Sequence, residues 1–223
     1  MDDAYIHFTY AENFAETGQL FLSFPDEKGL ATSSFLWVIL LAAFYKIGVP
    51  VHITAKVLGV ASLIVIAIGA HLLLCRVWTS LRAFAAALVL SLSWNMLWFS
   101  LNGMETTLFL ALGILTLLSH RAGRFDTAQR KRWGWFAFLA ALLTLTRPEG
   151  LFLLAALGLM ELLEHGFPRR AFIISTLIGL LLAAPWYGYL KLRTGHFLPT
   201  SASAKQLGSV VATDFLLEQY NLP

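Results

Sequence analysis

The chain has 223 residues, 58% of them hydrophobic and 13% charged, with a net charge of +3 and a mean hydropathy of +0.70. Soluble domains carry about 25% charged residues, so this composition excludes an ordinary soluble enzyme and points to an all-α, polytopic membrane protein. A single cysteine, Cys75, excludes an intramolecular disulfide and leaves the redox compartment open.

No basic stretch followed by an apolar run opens the sequence in the manner of a signal peptide. There is no internal repeat and no low-complexity tract. CxxC, Walker and dinucleotide-type glycine motifs are missing as well, and nothing points to nucleic acid.

The first stretch, MDDAYIHFTYAENF, places adjacent acids ahead of an amphipathic run. It predicts a helix over about 4–17, capped by Asp2 and Asp3 and ended by Gly18. The next apolar stretch, SSFLWVILLAAFYKI at about 33–47, reads as a re-entrant or interfacial helix, with a full crossing as the alternative. Six candidate spans follow, at about 54–75, 83–100, 105–119, 133–147, 150–164 and 171–190. A span needs roughly 20 apolar residues, so three of these are short.

Sidedness follows from lysine and arginine in short loops. The linker 119–133 holds Arg121, Arg124, Arg130, Lys131 and Arg132 against Asp126 alone, which makes it cytoplasmic. Alternation puts the basic loops 76–82 and 165–170 on the same side. The external face then receives residues 1–50, the loops NGMET (102–106) and TRPEG (146–150), and the segment 191–223. The expected organisation is an external region over 1–50, a bundle of about six spans over 51–190, and an external segment over 191–223.

This arrangement gathers the unusual polar residues on one face: Asp2, Asp3, Glu105, Arg147, Glu149 and Lys205. Ionisable groups at membrane depth cost about 2.5–3.5 kcal/mol each on insertion scales and are functional hypotheses by default. Each also has a plainer reading. Asp2 and Asp3 suit a helix cap, although amides at a helix start would equally hold a catalytic base ionised. Glu105 suits the start of a helix. Arg147 and Glu149, around the break at Pro148 and the slack of Gly150, suit a headgroup-level pair. Lys205 suits a solvated tail. The six histidines show no HExxH spacing, and the aromatic stretches 94–99 and 133–138 suit interface belts.

Together these residues match one chemistry. A polyprenyl-phosphate sugar presents its phosphate at headgroup level with its chain in lipid. Its leaving group is already an anion, so no general acid is required. A carboxylate (Asp2 or Asp3) must take the acceptor hydroxyl's proton, and cations (Arg147 and Lys205) must hold the departing phosphate. Glu105 and Glu149 would line the site. A divalent cation such as Mg2+ or Mn2+ could bridge Asp2 or Asp3 and the phosphate, but the sequence does not require one.

The same segments resemble a family. DDAYIHFTYAENFAETGQLFL is similar to the first external loop of GT-C membrane glycosyltransferases, often written DDAxIxFRYAxNLxxGxGLVFN. ATSSFLWVILLAAFYKIGVP resembles the GYTSFLW segment, SLNGMETTLF the GMET motif, LTRPEGLFLL the TRPEG motif, and HFLPTSASAKQ a drifted LPNTxYAK. Each motif is weak alone, but the order and rough spacing hold from residue 2 to about 206. The relatives in view are arabinofuranosyltransferases, aminoarabinose transferases and protein mannosyltransferases.

The resemblance implies inverting transfer from a polyprenyl-phosphate donor to a glycan, lipid or protein acceptor on the periplasmic or external face of a bacterial inner or plasma membrane. It favours Asp2 over Asp3 as the base and places 33–47 in the external loop region. Four departures stand out. The family has a helix before its aspartate pair and about twice this length, so the chain is expected to be an N-terminal fragment. Thr9 stands where the family has arginine, and Ser201 stands near its expected asparagine. Two other readings compete: a transporter or flippase for a lipid-linked sugar, and an inactive membrane assembly subunit.

Overall fold

In the computed structural model, residues 2–23, 32, 34–123, 130–195 and 197 are described, with residues 2, 3, 122, 123 and 130–132 described by their backbone alone. All regular structure among them is helical. In chain order the helices are α1 (Asp2–Thr17), α2 (Phe35–Lys46), α3 (Val51–Leu74), α4 (Ser80–Ser91), α5 (Trp94–Leu101), α6 (Thr106–Gly123), α7 (Arg130–Thr146), α8 (Gly150–His165) and α9 (Arg170–Thr194).

The chain punctuates itself where the sequence predicts. Gly18 ends α1 with φ of +73° while its amide donates to the Phe14 carbonyl at 2.9 Å, a left-handed termination that glycine accepts without a Cβ clash. Pro148 separates α7 from α8. Helix α2 has 12 residues, about 18 Å of rise, too short for a hydrocarbon layer of about 30 Å. Its Trp37, Val38, Leu41 and Ala42 are instead buried in a core shared with Tyr10 and Ala11 of α1, Ala55 of α3 and Trp186 of α9.

Among the described residues two helices, α3 and α9, are long and apolar enough to cross a membrane, and the count rises to three if α4 and α5 form one broken span. The expected single span over 83–100 is instead this pair, bent by 54°. At the break the Ser93 hydroxyl donates to the Leu90 carbonyl at 2.7 Å. Such local side-chain bonds compete with the helical ladder and mark kinks.

Helix α3 is built inside out relative to a helix in a soluble core. Ile53, Val57, Val60, Ile64, Ile68 and Leu72 form an exposed stripe, while Ala55, Gly59, Ser62, Gly69 and Ala70 face inward. Helix α9 repeats the pattern: Leu177, Ile178, Leu181 and Leu182 lie outward, with Ser175, Gly179 and Ala183 inward. Small inward residues let backbones approach closely. A Cβ at Gly179 would lie 2.7 Å from the Ala137 carbonyl oxygen, so that glycine sets the spacing of α7 and α9. An apolar stripe of this length is costly against water and costs nothing against hydrocarbon.

Candidate functional site

The geometry begins at a tight turn. Asn102 ends α5, and Gly103 takes φ of +81°. The Gly103 carbonyl accepts the Trp37 indole N–H at 3.2 Å, tying the turn to α2. A Cβ there would lie 2.7 Å from Phe8 of α1, so both the backbone conformation and the space require glycine.

Two residues on, Glu105 sits 1% exposed just ahead of α6. The Arg147 guanidinium reaches it from the end of α7: Nε donates to Oε1 at 2.7 Å and Nη2 approaches the same oxygen at 2.6 Å, while Nη2 donates to the Thr106 hydroxyl at 3.4 Å. From α1, His7 Nε2 lies 3.3 Å from the other carboxylate oxygen, an ion-pair distance, although that oxygen accepts no hydrogen bond among the described residues. The opposite ring nitrogen of His7 is 3.0 Å from the Thr32 hydroxyl. Burial alone would raise the Glu105 carboxyl; His7 first and Arg147 second outweigh it and hold the group down at about 2 against an ordinary 4.5. Three distant stretches (the first helix, NGMET and TRPEG) thus converge at one end of the bundle on a single ionised carboxylate.

The candidate residues separate at this point. Glu105 and Arg147 come together. Glu149 does not join them: it is exposed at the start of α8, and the pair suggested for Arg147 and Glu149 is replaced by the pair with Glu105. Gly150 gives no slack. A Cβ on it would lie 2.8 Å from Leu143 Cγ and 3.1 Å from the Leu143 carbonyl oxygen, so it is a close-packing glycine. Asp2 and Asp3 open α1, but their side chains lie outside the described residues, as does Lys205. The Thr9 hydroxyl donates to the Tyr5 carbonyl at 3.0 Å. Among the described residues no group of three or more His, Cys, Asp or Glu side chains could hold a metal ion.

Beside this cluster, between the starts of α1 and α3 and the length of α5, lies an open groove of about 540 Å3. Ala4 and Tyr5, which directly follow the aspartate pair, line it together with Gly103. Two further lining residues, His52 and Lys56, were not candidates on sequence. The signal was there: Lys56 is the one Lys, Arg, Asp or Glu in the 24 residues of α3.

A second buried ionic cluster, also absent from the expected set, occupies the other end of the bundle. Glu161 of α8, fully buried, accepts from Arg169 Nε at 2.9 Å and from Arg169 Nη2 at 2.7 Å, and lies 2.9 Å from His120 Nε2 of α6. Arg169 also stands over the Trp133 ring at 5.6 Å, a cation–π contact. A glutamate inside the apolar run GLFLLAALGLMELLEH was the legible sign. The first cluster ties the turn 102–105 to residue 147, and the second ties residue 120 to residue 169 through Glu161. No protein-family model, curated protein or solved structure matches the chain.

Proposed function

We propose that this chain is the membrane-embedded catalytic part of a GT-C-type, inverting glycosyltransferase that uses a polyprenyl-phosphate sugar donor. The observation that carries the reading is the convergence of α1, NGMET and TRPEG on Glu105 at one bundle end, beside an open groove lined by Ala4 and Tyr5, which follow the aspartate pair in sequence. A helix cap, a surface pair and a solvated loop would not need three segments locked together by a buried carboxylate. The outward apolar stripes of α3 and α9 support a polytopic membrane location. The basic linker at the opposite end supports an external or periplasmic site.

In the reaction, an acceptor hydroxyl on a glycan, lipid or protein attacks the anomeric carbon of the donor. The bond from that carbon to the phosphate oxygen breaks, and polyprenyl phosphate leaves with the electron pair. The hydroxyl proton passes to Asp2 or Asp3. Attack opposite the leaving group inverts the anomeric carbon. Arg147 and Glu105 serve by holding the NGMET and TRPEG turns in register. Two guanidinium nitrogens closing on one oxygen of a buried carboxylate tie the two turns together, and such attack demands closely held geometry. If a Mg2+ or Mn2+ ion takes part, Asp2 and Asp3 are the residues to hold it, and it would offset charge on the leaving phosphate.

Ionisable residues cluster at the bundle ends, which supports chemistry at the interface over transport through the midplane. The test is direct. Membranes containing the protein, supplied with a panel of polyprenyl-phosphate sugars, should release polyprenyl phosphate and form a glycosidic bond of inverted configuration. No release with any donor, or retained configuration, would overturn the proposal.

A further inference from the structure

His7 is a buried ionisable side chain on the first helix to which the proposed reaction gives no part. It lies one turn after Asp3, on the same face of α1. Both of its ring nitrogens face polar atoms. Nδ1 is 3.0 Å from the Thr32 hydroxyl, which also accepts the Ser34 amide at 3.4 Å. Nε2 is 3.3 Å from Glu105 Oε2.

The proton on the ring follows from these partners. Arg147 is committed to Oε1 of Glu105, and Oε2 accepts no hydrogen bond among the described residues. A bare ring nitrogen turned toward an ionised oxygen would be repelled, so Nε2 carries the proton. The Thr32 hydroxyl can donate to Nδ1 or accept from it, so the neutral ring and the imidazolium both fit in place. Hydrogen bonds from N–H to oxygen reach about 3.2 Å, so a small turn of the ring closes the contact with Oε2.

The packing around His7 leaves a task for this contact. Phe8 and Ala4 press on Gly103, where a Cβ would lie 2.7 Å and 3.7 Å from them. Apolar contacts set how near α1 comes to the NGMET turn, but they are non-directional and leave rotation about the helix axis weakly defined. A polar contact to a buried carboxylate is directional. We infer that His7 is a positioning residue for the proton-accepting start of α1: its Nε2–H, set against Glu105 Oε2, fixes the rotation of the helix that carries Asp2 and Asp3. This role rests on the glycosyltransferase reading, since it serves the aspartates as the base.

The experiment measures sugar transfer by membranes carrying the parent protein, His7→Gln or His7→Asn, per folded molecule. A glutamine amide can donate from near the place of Nε2, whereas an asparagine amide reaches only the place of Nδ1. His7→Asn should lower kcat about tenfold to a hundredfold, as expected for a displaced reacting group, and leave KM for the donor unchanged. His7→Gln should restore most of the lost rate. A parental kcat in His7→Asn overturns the assignment, and so does an equal loss in both variants. A second measurement does not depend on transfer. In a double-mutant cycle of thermal midpoints in detergent, His7→Asn and Glu105→Gln together should cost less than the sum of the two alone. Additive losses overturn the assignment. If transfer needs the aspartates while His7→Asn transfers like the parent, this role falls and the catalytic reading stands. If Asp2→Asn with Asp3→Asn transfers at the parental rate, the catalytic reading falls and takes this role with it, whatever the cycle shows.

Discussion

Arg147 closes on Glu105 across 42 residues of sequence, with its Nη2 at 2.6 Å from a carboxylate oxygen that water barely reaches. The contact bonds the end of α7 to the turn before α6. Removing the arginine should leave a buried carboxylate facing only His7, and truncating one partner of a buried pair costs about 3–5 kcal/mol. Arg147→Ala should therefore lower the thermal midpoint in detergent, while Glu105→Gln combined with Arg147→Ala recovers part of the loss. A double-mutant cycle gives the coupling.

The same pair sets a pH dependence. The Glu105 carboxyl is depressed from 4.5 to about 2 by His7 and Arg147 against the opposing effect of burial. A depressed carboxylate contributes stability that is complete above its unfolded value and is lost as pH falls toward its folded value. The stability difference between the parent and Glu105→Gln should be constant above about pH 5 and shrink steadily toward pH 2. A difference that grows on acidification would contradict the ion lock.

Gly103 and Gly18 offer a matched comparison. Both have positive φ, +81° and +73°, but a Cβ at Gly103 meets Phe8 whereas one at Gly18 meets nothing within 4 Å. Gly18→Ala should cost only backbone strain, about 1 kcal/mol. Gly103→Ala should cost more, by about 1–3 kcal/mol of overpacking, and should disturb the Trp37 indole bond. Thermal melts of the two variants decide this.

At the opposite end, Arg169 satisfies Glu161 from two of its guanidinium nitrogens. Arg169→Ala should destabilise by about 3–5 kcal/mol, and Arg169→Lys should recover little, because lysine lacks the planar fork. The cluster lies far along the chain from the aspartate pair, so these changes should act on stability without altering donor affinity per folded molecule. A binding titration normalised to folded protein tests this separation.

Much of this architecture was legible because its punctuation is local. Gly18 and Pro148 stop helices for steric reasons that need no tertiary context, and the length of α2 follows from the apolar run between Ser34 and Ile47. The polar residues of NGMET and TRPEG stood out because charge is costly in an apolar chain. What escaped depends on rotation about helix axes. Spacing alone does not tell that Arg147 turns to Glu105 and away from Glu149, or that Gly150 is packed against Leu143. Glu161 carried the same sign of an ion in an apolar helix, yet its role depends on a neighbour 41 residues away. The break between α4 and α5 hid inside a continuous apolar stretch, since spacing alone does not tell that the Ser93 hydroxyl turns back to the Leu90 carbonyl.

In the proposed mechanism a carboxylate at the start of α1 accepts the acceptor's proton during sugar transfer. The measurement that bears on this most directly is release of polyprenyl phosphate by membranes carrying the parent protein, Asp2→Asn, Asp3→Asn or both changes, at matched protein levels. Loss of a general base predicts a fall of about 10²–10⁴-fold in at least one single variant and in the double variant. A parental rate in the double variant would contradict the mechanism.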